Sequence, residues 1–212
     1  MPVALLHGAL RHSLGMQPSA RALIRAGFDA KAFGYATRRH DLEGHAERLE
    51  AALREWLGDR EVPMLGLLTH SMGGLVARAL LARPSLVAWI PRQRLVMLAP
   101  PNRGAYLAAR RRDSIWFRGL YGRSAAELQP ERVARLPPPP PSCETLILVG
   151  GTGDARGYNP RIPGDDDGVV ASAETSLEGV ESEFVGGVHS LLQWRPEVLA
   201  RACEFLRFGP AQ

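Results

Sequence analysis

The 212-residue sequence predicts an α/β domain: a mostly parallel central sheet with helices on both faces. Three observations carry this. Short apolar runs of strand length alternate along the chain with segments of helical periodicity. Glycine and proline mark the boundaries between them. The length suits one domain with a substantial core and is short for two, so residues 1–212 read as a single domain.

In chain order, Val3 to Leu6 is an apolar strand ending at His7-Gly8. Pro18 to Ala26 follows as a helix, with proline early and Gly27 just past its end. Phe28 to Tyr35 is the second strand. Leu42, Ala46, Leu49, Leu53 and Trp56 follow helical spacing, and Gly58 stops that helix. Met64 to Leu68 is a strand, the chain turns sharply at Thr69 to Gly73, and Leu75 to Arg83 reads as a helix stopped by Pro84. Leu95 to Leu98 and Thr145 to Val149 are further strands, each running into a proline or glycine pair. Glu183 to Val188 is a weaker strand because Gly186 and Gly187 interrupt it. The last helix runs from near Pro196 to before Gly209-Pro210.

Two stretches read as irregular. Residues 103–142 form a proline-rich insertion ending in Pro137 to Pro141, expected as stiff polyproline II without sheet hydrogen bonds. Residues 152–182 carry the cluster Asp165-Asp166-Asp167. Both follow strand ends, the edge of an open α/β sheet where sites assemble. No internal repeat is visible.

Composition narrows the functional classes. The formal charge is +4 and Lys31 is the one lysine, so the excess is arginine. That reads as a compositional bias, not a nucleic-acid surface, and Arg110-Arg111-Arg112 as solvated surface. No apolar run approaches the roughly 20 residues of a membrane span, so no stable membrane insertion is expected. The N-terminus has no basic region or small-residue cleavage site, so a cytoplasmic protein without signal peptide is expected. Cys143 and Cys203 belong to no CxxC pair, which argues against zinc, and both are expected reduced and buried.

The strongest chemical signal is Thr69-His70-Ser71-Met72-Gly73-Gly74, between an apolar strand and a helix. A strand–turn–helix elbow exposes a serine hydroxyl at the sheet edge and tolerates little bulk beside it. Gly73 meets that need; Thr69 stands where a glycine is usual. Ser71 is therefore the candidate nucleophile, the alternative being a helix-capping serine. A nucleophilic serine needs a base. In this arrangement the base lies C-terminal to the serine, and of the six histidines only His189 does. The orienting carboxylate is left between Asp167, in the turn Asp167-Gly168-Val169-Val170, and Asp154, directly after a strand. Asp113 precedes the expected strand and is disfavoured. The oxyanion donors are expected from the main chain: Met72, and Ala9 in the loop after the first strand, with Leu10 next. His7 is expected to brace that loop.

Together these residues resemble bacterial α/β-hydrolases of the small lipase and esterase group, triacylglycerol-lipase-like and related to inositol-deacylase-type lipases. The segments LLHG, THSMGG, MLAPPNRG and IPGDDDGVVASAETSLEG leading to VHS carry the resemblance. It implies an α/β-hydrolase fold with Ser71, Asp167 and His189 as the triad; larger relatives carry helical lids, but the short, proline-rich 103–142 segment is expected to give a minimal version with little or no lid. It also implies hydrolysis of carboxylic esters on a small-molecule acyl substrate. Larger lipases of this type sometimes bind calcium, but Asp165 and Asp166 stand in no recognisable calcium loop, so neither metal nor cofactor is expected. The same triad would serve a thioesterase or acyltransferase, and the fold alone would serve a catalytically silent binding protein.

Overall fold

Strand β1 (Pro2–Leu6) opens the chain, and a 3₁₀ turn at Ser13–Met16 leads into α1 (Gln17–Arg25). This computed structural model describes residues 1–210. After β2 (Asp29–Phe33) and α2 (Leu42–Leu57) come β3 (Met64–His70), α3 (Met72–Leu81), α4 (Pro84–Trp89) and β4 (Arg92–Leu98). Four short helices follow: α5 (Tyr106–Arg110), α6 (Ile115–Tyr121), α7 (Ser124–Glu127) and α8 (Pro130–Val133). The chain ends with β5 (Cys143–Val149), β6 (Glu181–Phe184), a 3₁₀ turn at His189–Trp194 and α9 (Pro196–Phe208).

The six strands form one sheet in the order β2-β1-β3-β4-β5-β6, and each neighbouring pair is parallel. Successive side chains on a strand point to opposite faces, so a strand covered on both sides must be apolar throughout. Ala4 and Leu6 of β1, Leu95 and Met97 of β4, and Ile147 and Val149 of β5 enter the core that α2 and α3 cover. Their neighbours Val3, Leu5, Val96, Leu98, Leu146 and Leu148 enter the opposite core, under α1 and α9. Each such leucine, fully buried, contributes roughly 2 kcal/mol of hydrophobic stabilisation.

Local chemistry sets the helix ends. The Asp41 carboxylate accepts from the Gly44 N–H at 2.8 Å and caps α2, and Gly58 ends it in the left-handed region (φ 57°). Pro84 stops α3 but also opens α4, because the first turn of a helix needs no N–H from its proline. Strand β6 lies upstream of its expected place: Gly186 and Gly187 adopt φ values of 64° and 93°, which end extended structure before them. Residues 103–142 are not irregular as expected. Helices α5 to α8 occupy much of the span, none longer than seven residues. The prolines from 137 to 140 carry no regular structure. Cys143 is buried, whereas Cys203 is only partly so; both are free thiols. Among the described residues, no helix is long and apolar enough to cross a membrane.

Chain order turns around between β1 and β3. From β1 the chain moves outward to β2, and from β3 it proceeds the other way through β4, β5 and β6. Loops leaving such a pair diverge and open a crevice at the carboxyl edge. The loop after β1 carries His7-Gly8-Ala9, and the turn after β3 carries Ser71.

Candidate active site

Ser71 sits on the turn from β3 into α3 with φ 53° and ψ −127°. A non-glycine residue held there costs about 1–3 kcal/mol, and the surrounding structure must impose it. Its N–H donates to the Leu98 carbonyl at 2.9 Å, tying the turn to β4. Among the described residues, the non-glycine residues with positive φ are Leu10, Ser71 and Ala99, in the loops after β1, β3 and β4. Close packing explains the glycines. A Cβ on Gly73 would lie 2.8 Å from the Leu6 carbonyl oxygen, so only glycine lets α3 approach β1. A Cβ on Gly8 would lie 3.0 Å from the Ser71 Cβ. Thr69 is tolerated at the first small position because its buried hydroxyl donates to the Val96 carbonyl at 3.3 Å.

His189 and Asp167 meet. Imidazole Nδ1 donates to Asp167 Oδ2 at 2.6 Å, with both side chains buried. Asp167 Oδ1 accepts from the Val169 and Val170 N–H groups at 3.0 and 2.8 Å. Gly168 (φ 98°) makes that turn, and the His189 N–H donates to the Asp167 carbonyl at 2.8 Å. The carboxylate is thus aimed by two N–H groups of its own loop, and the main-chain contact ties that loop to the start of the His189 turn. Ser71 and His189 line one cavity of about 310 Å³, without a direct hydrogen bond between their side chains. Leu107, Ala108 and Leu128 from the helical segment, with Val169 and Val170, form its apolar walls.

The other aspartates are elsewhere. Exposed Asp154 accepts from the Thr152 hydroxyl and the Arg156 N–H. Asp113 is exposed and lies 3.8 Å from Arg112. Asp165 accepts from the Thr152 N–H and hydroxyl and from the Gly153 N–H. Burial pushes the Asp165 carboxyl up, but these donors outweigh it and hold the group below its ordinary value. Asp166, wholly buried, accepts from the Asn159 and Gly168 N–H groups.

Two supports had little sequence signal. His70 Nε2 donates to the His189 carbonyl at 2.9 Å, and the two rings lie 4.6 Å apart. Burial, then the adjacent His189, holds His70 well below the usual imidazole range, so it stays neutral. Tyr35 stacks on His7 at 4.3 Å and donates its hydroxyl to the His7 carbonyl. His7 in turn donates from Nδ1 to the Gly8 carbonyl and accepts the Tyr35 N–H at Nε2. Burial lowers its pKa, consistent with a neutral ring bracing the loop. The Leu10 N–H donates to Thr37 Oγ1 at 3.2 Å. The Ala9 N–H has no acceptor among the described residues, and Met72 opens α3, where an N–H lacks an intrahelical partner.

A parallel sheet of this order, with a serine on a strained turn from strand to helix and a histidine after the last strand, is the α/β-hydrolase fold. Among solved structures the chain is similar to Bacillus licheniformis lipase BlEst2 in mature form, with TM-score 0.78 and 16% identity over 99% of this chain and 92% of that one. It is also similar to the metagenomic carboxyl esterase MGS0156, with TM-score 0.70 and 16% identity over 91% of this chain and 65% of that one. The Pyrococcus furiosus esterase Pf2001 gives TM-score 0.59 and 21% identity, over 97% and 82%. At these identities the likeness is one of fold. No protein-family model and no curated protein matches the sequence.

Proposed function

We propose that the protein hydrolyses carboxylic esters of short- to medium-chain acyl groups through an acyl-enzyme on Ser71. The observation that carries this reading is the buried Asp167–His189 pair beside a strained, cavity-facing serine. The names of the similar structures, lipases and esterases, point the same way. His189 Nε2 takes the Ser71 proton as Oγ bonds to the ester carbonyl carbon, and Asp167 stabilises the imidazolium that forms. The Ala9 and Met72 N–H groups hold the negative oxygen of the tetrahedral intermediate. The alkoxide then leaves with the proton from His189. Water attacks the acyl-enzyme by the same route, releasing the acid and restoring Ser71.

Intact-mass analysis after a fluorophosphonate probe tests this. Wild type gains one adduct, and Ser71→Ala gains none and loses nearly all ester hydrolysis while melting as a folded protein. An adduct persisting on Ser71→Ala overturns the assignment. Oxygen esters and thioesters of one acyl chain, compared side by side, decide between an esterase and a thioesterase.

A further inference from the structure

Beside the cavity at Ser71 lies a second, larger cleft of about 780 Å³, formed by the loops after β1 and β2. The two share Leu10 and Arg11 as a common wall. Their chemistry differs. The cavity at Ser71 is walled mainly by apolar side chains, with Arg11 and Arg111 at its edge, whereas the cleft carries Arg11, Arg38 and Arg39 with His12 and few apolar side chains, and no carboxylate lines it. Among the described residues none of these three arginines forms an ion pair, although Arg54, Arg83 and Arg201 elsewhere do. Arg11 and Arg38 contact neutral acceptors. Arg11 Nη2 donates to Ser190 Oγ at 2.8 Å, and Arg38 Nη2 donates to the Gly119 carbonyl at 2.7 Å. Ser190 is the neighbour of His189, so Arg11 is anchored at the seam between cleft and cavity.

We propose that this cleft binds an anionic group on the substrate. The substrate is then an ester whose acyl chain fills the apolar cavity and whose alcohol half bears a phosphate or carboxylate. The assignment rests on Ser71 as the nucleophile. Guanidinium groups present paired donors that match the oxygens of either anion. Uncompensated positive charge in a concave site also raises the local concentration of anionic substrate. The scissile bond falls at the Leu10–Arg11 wall, next to the loop that offers the Ala9 N–H.

Three soluble esters with one acyl chain provide the test, their alcohols neutral, carboxylate-bearing and phosphate-bearing. At low ionic strength an anionic ester is expected to exceed the neutral one in kcat/KM by at least about tenfold, the equivalent of one charge-assisted contact. Added salt should shrink that ratio, and inorganic phosphate should inhibit the anionic ester competitively. The double variant Arg38→Gln/Arg39→Gln should bring the ratio close to one through KM, with an unchanged melt. Which anion gains more, phosphate or carboxylate, identifies the headgroup. Equal kcat/KM for all three esters, or a ratio untouched by the double variant, overturns the proposal. If the probe still labels Ser71 in that case, only the anion assignment fails. If it does not, the nucleophile reading itself has failed.

Discussion

Asp165, Asp166 and Asp167 have the same side chain on consecutive residues, yet their carboxylates do three different things. Asp165 closes the loop at Thr152 and Gly153, Asp166 is buried against the Asn159 N–H, and Asp167 alone reaches His189. The difference is one of direction: Asp165 faces the loop after β5, Asp166 the turn at Asn159, and Asp167 the N–H groups of Val169 and Val170 and the His189 ring. Asp167→Asn keeps the shape but favours the wrong imidazole tautomer, for which a loss of about 10⁴ in kcat is the precedent. We expect at least about 10²-fold loss in kcat on a soluble ester, with the melt showing a folded protein. Asp154→Asn, remote from His189, should cost less than about twofold on the same ester. Reversed outcomes for the two variants would place the acid directly after β5.

At the scale of elements, residues 103–142 depend on one side chain of α3. Arg78 is buried and donates to the carbonyls of Leu136, Pro137 and Asn102. Burial brings its pKa down to about 10, so it remains charged at neutral pH. It clamps the chain before and after the short helices, which line the cavity through Leu107 and Leu128. Arg78→Met fills similar space but leaves several carbonyls without their donor. Each unsatisfied group costs about 1–3 kcal/mol, so we expect roughly 3 kcal/mol of destabilisation. For a chain of this size that is a fall in Tm of roughly 6–12 °C by calorimetry. A rise in KM for acyl esters should accompany it, and an unchanged melt would show that the clamp is dispensable. The short helices were hard to read in sequence because each is too brief to display a full amphipathic period, and they are stable only when packed. In sequence Pro84 reads as a stop alone; its second role, opening α4, depends on where the next residues pack.

Across the whole molecule, the helical layer over one face of the sheet is cross-tied by charge. Glu50 of α2, nearly buried, accepts from Arg54, Arg83 and Ser85, joining α2 to the junction of α3 and α4. Burial alone would raise its pKa. The hydrogen bonds from Arg83, Arg54 and Ser85 outweigh that and hold it at about 2, against 4.5 for an ordinary glutamate. Between these values the unfolded chain binds a proton that the folded one does not. The stabilisation is therefore complete above about pH 4.5 and is lost as pH falls towards 2. Glu50→Gln should lower Tm by several degrees at pH 7, and the gap to wild type should narrow steadily on titration from pH 5 to about pH 2. A gap independent of pH would show that Glu50 acts through packing and not through charge.

The positions of β1 to β5, the strand–turn–helix elbow that carries Ser71 and a histidine beyond the last strand are legible in the sequence. They rest on short-range patterns: apolar runs, the glycines beside the serine, and chain order. The residues that complete the site were not legible in that way. Whether Asp154 or Asp167 meets His189 depends on how a long loop closes over the ends of β5 and β6, and both lie in polar turns with local N–H donors. His70, Tyr35 and Arg11 act through partners 119, 28 and 179 residues away. Contacts at such separations leave no local period or spacing, so only the assembled sheet edge, with its loops brought together at the β1–β3 switch, decides them.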